Sequence, residues 1–455
     1  MRLFGTDGIR GKFGSEPITP QTILKLGWAL GSVLNERSED RCEVIVGKDT
    51  RVSGYVLESA LTGGLLSAGV DIALLGPVST PAVSYFSRVS RASAGVVISA
   101  SHNPVQDNGI KVFLSNGLKI SASMERRVEA RLDGPIQVVD AHNLGKARRI
   151  DNPVEQYVGY LFSNAPSRLD GLRIVIDCAN GASYKIGPML LSQLGADVVS
   201  VADTPSGFNI NLNCGSTNPE YIRNLTLEHH ADIGIALDGD GDRVVMVDAA
   251  GNLINGDQIL YIIAVSRKRK GMLRGGVVGT HLSNMGLRDT LQAREIPFEC
   301  VEVGDRFISE RLRELNWNLG GEECGHILNG EAGIPGDGLI AAMEVLAEVI
   351  ESGKTLKELA KELTLVPKVT RNVPLRNQNS PIKGIDASHW PRTTEAVDVA
   401  RKELDTQGRI LLRASGTEPA IRILVEGYDA DQIGRIADRL SNVVDEESES
   451  ATALA

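Results

Sequence analysis

Aromatic residues, clustered cysteines and long apolar runs are scarce in this chain, and each scarcity argues against a class of protein. Aromatic residues make up 4% of the 455 residues, whereas glycine occurs 48 times. This balance suits α/β domains with tight strand-to-helix turns better than an aromatic-rich β protein. The net charge of −10 argues against a general nucleic-acid-binding protein, because such a protein needs a positive field.

The five cysteines are scattered, odd in number and never arranged as C-x-x-C, which argues against a disulfide framework or a zinc site. The opening MRLFGTDGIRG lacks the apolar region of a signal peptide. The apolar stretch GLIAAMEVLAEVI carries two glutamates and is too short to cross a bilayer. The sequence therefore predicts a cytoplasmic protein with no membrane partner.

One pattern occurs three times, beginning near residues 43, 172 and 276. Each copy reads as a buried strand, a Gly-containing loop, an amphipathic helix and a second strand, which is typical of a βαβ crossover. We therefore predict three related α/β domains with mixed sheets, at residues 1–150, 151–251 and 252–365. The change of pattern afterwards predicts a smaller α+β domain at 366–455, and we expect its acidic tail DEESESATALA to fray.

Polar residues follow a predicted strand in the stretch GVVISASHNPVQDNGIKVF, which begins at Gly95. The apolar run ends at Ile98, and Ser101 and His102 follow it just before an Asn-Pro pair. Ligand sites in α/β sheets lie at the carboxyl ends of strands, which is where these residues are expected. An ordinary turn explains the stretch locally, because Asn-Pro favours turn initiation. A nucleophile held at a strand tip is the alternative, and the stretch alone leaves both open.

Three alternating carboxylates, Asp238, Asp240 and Asp242, follow a predicted strand at 233–237. They would repel each other unless a cation lay among them. An EF-hand is a poor alternative, because Arg243 occupies its sixth position and Ala249 its twelfth. We predict Mg²⁺ with a phosphate-bearing partner, and a solvated acidic turn is the alternative.

Two more polar stretches suggest ligand contacts. In LGGEECGHILNG, the alternation of Glu322, Cys324 and His326 predicts that they face one side of an extended loop, where carboxylate and imidazole suit sugar hydroxyls. A loop cap explains this stretch equally well. The stretch VGKDTRVSG, with Lys48 and Arg51, reads as a strand-to-helix turn with helix-capping residues.

A predicted hairpin, LLRASGTEPAIRILVEG, combines hydroxyls, a glycine and two guanidinium groups. Such a set is typical of an anion-binding nest, although an ordinary hairpin turn is the alternative. Its candidate residues are Arg413, Ser415, Gly416, Thr417 and Arg422.

Together and in this order, the four motifs resemble those of the α-D-phosphohexomutase superfamily, and the resemblance runs from end to end of the chain. FGTDGIRG and RASGTEPAIR resemble its glucosamine-phosphate branch more closely than its mannose and glucose branch. The resemblance implies interconversion of glucosamine 6-phosphate and glucosamine 1-phosphate, through a phosphoserine and a glucosamine 1,6-bisphosphate intermediate. This reaction would supply UDP-N-acetylglucosamine for cell-wall precursors.

The resemblance also implies how the chain is organised. Four domains are expected around a central cleft, the last with a TATA-box-binding-protein-like fold. The substrate would be a small phosphosugar. Homodimer formation is a further expectation, since relatives are often homodimers.

Residue by residue, the resemblance gives Ser101 as the phosphorylated serine, whose phosphate joins Asp238, Asp240 and Asp242 around the metal. Arg10 and Lys111 match basic residues beside it, and His102 or Lys111 is expected to assist proton transfer. The predicted substrate-binding residues are Arg243, Arg306, Glu322, Cys324, His326, Arg413, Ser415, Gly416, Thr417 and Arg422. In two departures, Cys324 stands where the family usually has serine, and Ala414 stands where lysine is common.

Three other functions remain open. A mutase for mannose or glucose phosphates would use the same machinery. A catalytically silent sugar-phosphate sensor would keep the fold alone. A serine hydrolase using Ser101 and His102 would lack the G-x-S-x-G motif.

Overall fold

Four β-sheets organise the protein in a computed structural model, which describes residues 3–5, 7–36, 40–330, 336–374, 390–414 and 420–452. The chain divides into two compact units. The first comprises Met1–Ser283 and Leu291–Leu363, and the second comprises Asn284–Thr290 and Thr364–Ala455. Three of the sheets lie in the first unit and one lies in the second.

The first sheet is mixed. Its strands are β1 (Ile9–Lys12), β2 (Glu43–Lys48), β3 (Asp71–Pro77), β4 (Ala94–Ile98), β5 (Asp107–Leu114) and β6 (Ala147–Arg149). Its helices are α1 (Pro20–Asn35), α2 (Ser53–Ser67), α3 (Thr80–Val89) and α4 (Ala122–Leu132). The order is β1-β5-β4-β2-β3-β6, with β5 antiparallel to both β1 and β4. The apolar run in β2 is buried because the central strands of a parallel sheet are covered on both faces.

Helices α1 and α2 touch through glycines. Thr19 caps α1 by accepting a hydrogen bond from the Thr22 amide at 3.3 Å, and Pro20 provides a preorganised first residue. A Cβ on Gly27 would lie 2.4 Å from the Leu61 carbonyl oxygen, and a Cβ on Gly64 would lie 2.0 Å from that of Leu24. Only glycine therefore allows this approach of the two backbones.

The second sheet carries strands β7 (Arg173–Asp177), β8 (Asp197–Val201), β9 (Ile233–Leu237), β10 (Val244–Asp248) and β11 (Leu253–Ile254). Its helices are α5 (Pro153–Ser163), α6 (Ile186–Gln193) and α7 (Pro219–Glu228). Strands β8, β7 and β9 run parallel, and β10 returns antiparallel to β9. The acidic loop at 238–242 is the connection between β9 and β10, so its carboxylates start at the carboxyl end of a buried strand.

The third sheet has the order β13-β12-β14-β15. Its strands are β12 (Val277–Thr280), β13 (Phe298–Val301), β14 (Leu319–Gly321) and β15 (Ile327–Asn329). The accompanying helices are α8 (Gly256–Arg269), α9 (Met285–Ala293), α10 (Asp305–Leu315), α11 (Gly338–Ser352) and α12 (Leu356–Lys361). Strands β14 and β15 are antiparallel, so residues 322–326 form the turn between them.

The second unit contains an antiparallel sheet of order β16-β18-β17 with two helices. The elements are β16 (Lys368–Pro374), α13 (Pro391–Leu404), β17 (Gly408–Ala414), β18 (Ala420–Gly427) and α14 (Ala430–Thr452). Its core contains residues from both helices and all three strands, including Val397, Ile410, Ile423 and Leu440.

The predicted fold class is confirmed, because three mixed α/β sheets precede an antiparallel α+β sheet. Each of the three repeats is a parallel βαβ unit: β2–α2–β3, β7–α6–β8 and β12–α9–β13. The bounds of the four domains and the central cleft stay predictions. The expected fraying of the acidic tail is wrong as far as Thr452, because α14 continues through that segment. Among the described residues, no helix is long and apolar enough to cross a membrane.

The glycine contact between α1 and α2 yields a prediction about stability. Gly64→Ala should lower the urea midpoint of unfolding by the equivalent of about 1–3 kcal/mol, because the added methyl group would meet the α1 backbone. Gly63→Ala, on the exposed side of the same helix, has its nearest neighbour at 3.9 Å and should be neutral or stabilising by up to about 1 kcal/mol. Equal midpoints for the two variants would contradict the close contact.

Candidate active site

Ser101 lies in a tight loop immediately after β4. Its backbone has a φ of 51°, in the left-handed region that non-glycine residues rarely adopt. Its side chain is buried, and its amide donates a hydrogen bond to Ser99 Oγ at 2.8 Å. Such strain persists only where the surroundings fix the backbone, and it concentrates at functional sites.

Arg51, in the turn that follows β2, fixes the backbone of the Ser101 loop through several hydrogen bonds. Its fully buried guanidinium donates to the carbonyl oxygens of Ser101 (2.9 Å), Asn103 (2.8 Å) and Pro104 (2.6 Å). Its Nε bonds Asp49 at 2.9 Å. The strand-to-helix turn predicted for VGKDTRVSG is confirmed, since β2 ends at Lys48 and α2 begins at Ser53. The predicted helix-capping role is wrong, because the cap residue is Val52 and no described side chain caps α2; the turn braces the serine loop instead.

Asn211 holds the same loop from the second sheet's side. Its amide nitrogen donates to the carbonyl oxygens of Ser101 (2.9 Å) and Asn103 (3.1 Å). No local sequence pattern indicates this residue, because it lies 110 positions from Ser101 in an irregular segment with a positive φ of its own.

The three aspartates of the β9–β10 connection are buried and converge. Asp238, Asp240 and Asp242 each offer a carboxylate oxygen, and these oxygens lie within 4.8 Å of one another. Ser101 Oγ donates to Asp238 Oδ2 at 2.5 Å, so the serine hydroxyl adjoins the cluster. The structure therefore brings together the two motifs that the sequence placed in different domains.

Lys111 on β5 compensates part of this negative charge. Its Nζ lies 2.9 Å from Asp240 Oδ2, 3.0 Å from Asp242 Oδ2 and 3.5 Å from Asp7 Oδ2. Burial alone would lower the pKa of Lys111, but the three aspartates raise it well above its usual range. The ammonium group is therefore charged and fully engaged.

The cluster still has acceptor capacity for a metal ion. Asp240 Oδ2 also accepts from Thr80 Oγ1 at 2.7 Å, but buried Asp240 Oδ1 has no hydrogen-bond partner among the described residues. Burial, together with Asp242 and Asp240, raises the pKa of Asp238 well above its usual range. Carboxylate oxygens are the donors that hard divalent cations prefer, so these residues fit such an ion.

His102 and Arg10 lie beside the serine. His102 Nδ1 is 3.4 Å from Ser101 Oγ. Burial, Arg243 and Arg10 lower the pKa of His102 to about 4, so its imidazole is neutral near pH 7. Arg10 donates to the Ala100 carbonyl oxygen at 3.4 Å and pairs with Asp7.

His326 faces the cluster from the β14–β15 turn. Its Nδ1 lies 3.4 Å from Asp242 Oδ1, and its Nε2 lies 3.6 Å from Asp305 Oδ2. Burial alone would lower the pKa of His326, but Asp242, Asp305 and Glu322 raise it to about 9. Lys119 links Asp305 to Asp7 through ion pairs with both.

Asp7, Thr80, Lys119 and Asp305 were not predicted from the sequence. The spacing of Asp7 and Arg10 in TDGIRG was the only available signal, since residues three apart can pair. The contacts of the other three depend on tertiary structure.

The expected extended loop at 322–326 is wrong. The Glu322 amide donates to the His326 carbonyl oxygen at 3.0 Å, which closes a tight turn. Cys324 is exposed and lies with its Sγ 3.8 Å from Glu322 Oε2, whereas His326 is buried. Alternate side chains share a face only in extended backbone, and this backbone turns.

Arg243 and Arg306, the two arginines of the first unit that were predicted to bind substrate, lie in different surroundings. The Arg243 amide donates to Asp238 Oδ1 at 3.2 Å, and its Nε is 3.8 Å from Asp242 Oδ1. Arg306, on α10, instead pairs with Glu125 at 3.1 Å and Glu310 at 3.2 Å. Substrate binding by either residue stays a prediction.

Arg413 and Arg422 are direct cross-strand partners on β17 and β18 of the second unit. Burial and the charge of Arg422 lower the pKa of Arg413. The buried Arg422 Nε has no hydrogen-bond partner among the described residues. Like charges opposite each other are unfavourable without a counter-ion, so the pair suits an anion. Ser415, Gly416 and Thr417 lie outside the described residues.

Comparison with known families identifies the architecture along the chain. Family models described as phosphoglucomutase/phosphomannomutase α/β/α domains I, II and III match residues 1–137, 155–251 and 255–365. The model of the C-terminal domain of the same family matches residues 346–443.

Individual relatives are similar over almost the whole chain. A phosphoglucosamine mutase 1 of Shewanella amazonensis is 48% identical, covering 97% of this chain and 98% of its own. A phosphoglucosamine mutase of Thiobacillus denitrificans is 47% identical, covering 97% of each. A solved phosphoglucomutase/phosphomannomutase family protein of Burkholderia thailandensis superposes with a TM-score of 0.80 at 23% identity, covering 98% and 97%.

The buried acidic cluster predicts a response to divalent cations. Adding magnesium chloride after EDTA should raise the thermal midpoint of the wild type, with about 2.7 kcal/mol of stabilisation at 100 times Kd. Asp238→Asn should abolish this increase without lowering the midpoint in EDTA, because it removes one of three mutually repelling charges.

Asp197→Asn is the control, since its carboxylate is exposed. It should keep the wild-type response. An undiminished magnesium response in Asp238→Asn would show that the cluster is not the cation site.

Proposed function

Because the chain belongs to the phosphoglucomutase/phosphomannomutase family of the α-D-phosphohexomutase superfamily, we propose that it interconverts glucosamine 6-phosphate and glucosamine 1-phosphate. Membership makes the protein an isomerase that moves a phosphoryl group within a hexose. In this proposal, its product feeds UDP-N-acetylglucosamine synthesis.

The observation that carries the mechanism is the contact between Ser101 Oγ and Asp238. A hydroxyl buried at a strand tip, 2.5 Å from a carboxylate of a set that fits a cation, supports the role of a phosphoryl carrier beside a metal ion. A plain turn would not require a strained, buried serine clamped by Arg51 and Asn211. The proposal therefore gives Ser101 the role of phosphoserine.

The choice of amino sugar is supported by the relatives. The two bacterial relatives named phosphoglucosamine mutase share nearly half of their residues with this chain over almost its full length. The stretches FGTDGIRG and RASGTEPAIR support the same branch.

The proposed reaction has two balanced phosphoryl transfers. In the first, the bond between Ser101 Oγ and phosphorus breaks as a bond forms to a sugar hydroxyl, which gives its proton to a base while Ser101 Oγ gains a proton. The product, glucosamine 1,6-bisphosphate, then turns end for end. In the second transfer, the bond between the sugar oxygen and its other phosphoryl group breaks as that group bonds to Ser101 Oγ, which gives up its proton, and the sugar oxygen regains a proton.

Charge neutralisation is the main requirement of phosphoryl transfer. A magnesium ion held by Asp238, Asp240 and Asp242 would neutralise phosphate charge when bound. Lys111 and Arg10 add fixed positive charges, and Lys111 donates to Asp240 and Asp242, which keeps their carboxylates in place.

The geometry favours His102 over Lys111 for proton transfer. His102 Nδ1 lies 3.4 Å from Ser101 Oγ. Catalytic hydrogen bonds of this length in ligand-free sites often shorten when substrate binds. The ammonium of Lys111 is directed at three aspartates instead, which suits electrostatic support. We therefore propose that His102 exchanges the proton and that Lys111 stays charged.

Substrate contacts complete the proposal. Arg413 and Arg422, together with Ser415, Gly416 and Thr417, would hold the phosphate that is not reacting. Glu322 would accept hydrogen bonds from sugar hydroxyls at the β14–β15 turn, with Cys324 beside it. His326, buried against Asp242 and Asp305, would connect that turn to the acidic cluster.

Turnover of three substrates tests the proposal. The wild type should show the highest kcat/KM for glucosamine 6-phosphate, at least tenfold above mannose 6-phosphate and glucose 6-phosphate, measured in coupled assays after priming with the matching bisphosphate. A clear preference for mannose or glucose phosphate would instead assign the chain to the other branch.

Ser101→Ala is the matched variant, analysed by intact-mass spectrometry and turnover. The wild type should carry one added phosphoryl group, and the variant should carry none and lose turnover of all three sugars. A protein without phosphoserine that binds these sugar phosphates but turns none over would be a silent sensor.

A further inference from the structure

A cavity of about 390 Å³ lies in the first unit, away from the turn that carries Glu322. Its wall comes from the segment after β5, from α10 and from the far end of the β14–β15 hairpin. The volume falls within the range typical of small-molecule sites. None of the proposed roles of Ser101, the aspartates or the β14–β15 turn uses this space, although Arg306, which was predicted to bind substrate, lines it.

The lining has two chemical parts. Apolar side chains form one part, namely Leu114, Leu118, Ile120, Leu312, Trp317 and Leu328. The Trp317 ring packs against the backbone at 275–276, where a Cβ on Gly275 would lie 2.1 Å from the ring. A flat apolar surface is therefore held in a fixed place within the wall.

The other part is basic. Lys119, Arg274, Arg306 and Arg313 line the cavity with two carboxylates, Asp305 and Glu310. Two carboxylates outside the lining also pair with these cations, Asp7 with Lys119 and Glu125 with Arg306. Arg313 is exposed and makes no ion pair with a described residue, and its Nε donates to the Ser309 carbonyl oxygen at 3.4 Å. Guanidinium groups are the usual partners of phosphate oxygens.

The asparagines of the wall favour a ligand with donors and acceptors on a ring edge. Asn116 and Asn316 line the same space, and each amide offers both kinds of group. A phosphosugar would leave the leucines and Trp317 without apolar contact. A planar heterocycle joined to a phosphate matches both parts of the lining.

We propose that this cavity binds an anion with a planar heterocyclic ring, of the nucleoside monophosphate class, at a site separate from the one around Ser101. The wall is connected to that site. Asp305 and Lys119 line the cavity and pair with each other at 2.7 Å, and Asp305 lies 3.6 Å from His326 Nε2. A phosphate that draws Lys119 from Asp305 would therefore alter the surroundings of His326.

Calorimetric titration of the full-length protein with AMP tests the proposal. We expect saturable binding at one site, little binding of adenosine or inorganic phosphate alone, and no displacement by saturating glucosamine 6-phosphate. Arg313→Glu should weaken AMP binding at least tenfold, because it reverses a charge in the wall. AMP should change kcat or KM of the wild type and not of this variant.

Arg311→Glu is the matched control, since Arg311 lies on the same helix, pairs with Glu299 and Glu314, and does not line the cavity. It should bind AMP within twofold of the wild type. Absence of saturable binding, equal weakening in both variants, or competitive displacement by glucosamine 6-phosphate would overturn the proposal. AMP binding that depends on Arg313 in a protein without mutase activity would leave it intact.

Discussion

Three carboxylates buried in one short loop are the constraint on which this site depends. Charges of one sign repel strongly away from water, so the loop of Asp238, Asp240 and Asp242 requires compensating positive charge. Lys111 supplies one such charge beside Asp242 Oδ2, and His326 and Arg243 approach Asp242 Oδ1. Asp240 Oδ1 accepts no hydrogen bond from any residue that the structure describes, so this oxygen is available to a further cation. The same surplus of negative charge explains why a phosphoserine would need a metal ion here.

The fold brings the serine and the acidic loop together at the carboxyl ends of strands from two sheets. Ser101 follows β4 and Asp238 follows β9, and each strand lies in a different sheet. Arg51 fixes the serine loop from the first sheet and Asn211 from the loop beside the second, so the hydroxyl reaches Asp238 with little freedom. Holding reactants in such a fixed arrangement can provide up to about 7–11 kcal/mol of rate enhancement in favourable cases.

Features with a local signature could be predicted from the sequence, and features made by distant contacts could not. The βαβ repeats, the strand before Asp238 and the hairpin of β17 and β18 depend on apolar periodicity, and all three are confirmed. Asn211, Thr80 and Asp305 meet the site through tertiary packing, so no local pattern indicates them. The interpretation of residues 322–326 was wrong because alternation has meaning only in extended backbone, whereas the Glu322–His326 hydrogen bond closes a turn.

The central claim is that the oxygen of residue 101 carries its phosphoryl group directly beside a cation held by the acidic loop. Phosphorylated protein loaded with Mn²⁺ in place of magnesium allows a direct test by pulsed electron–nuclear double resonance. The account predicts a strong ³¹P hyperfine coupling that disappears when phosphatase removes the phosphoryl group and manganese remains bound. Stoichiometric phosphoserine and stoichiometric manganese without any ³¹P coupling would contradict it.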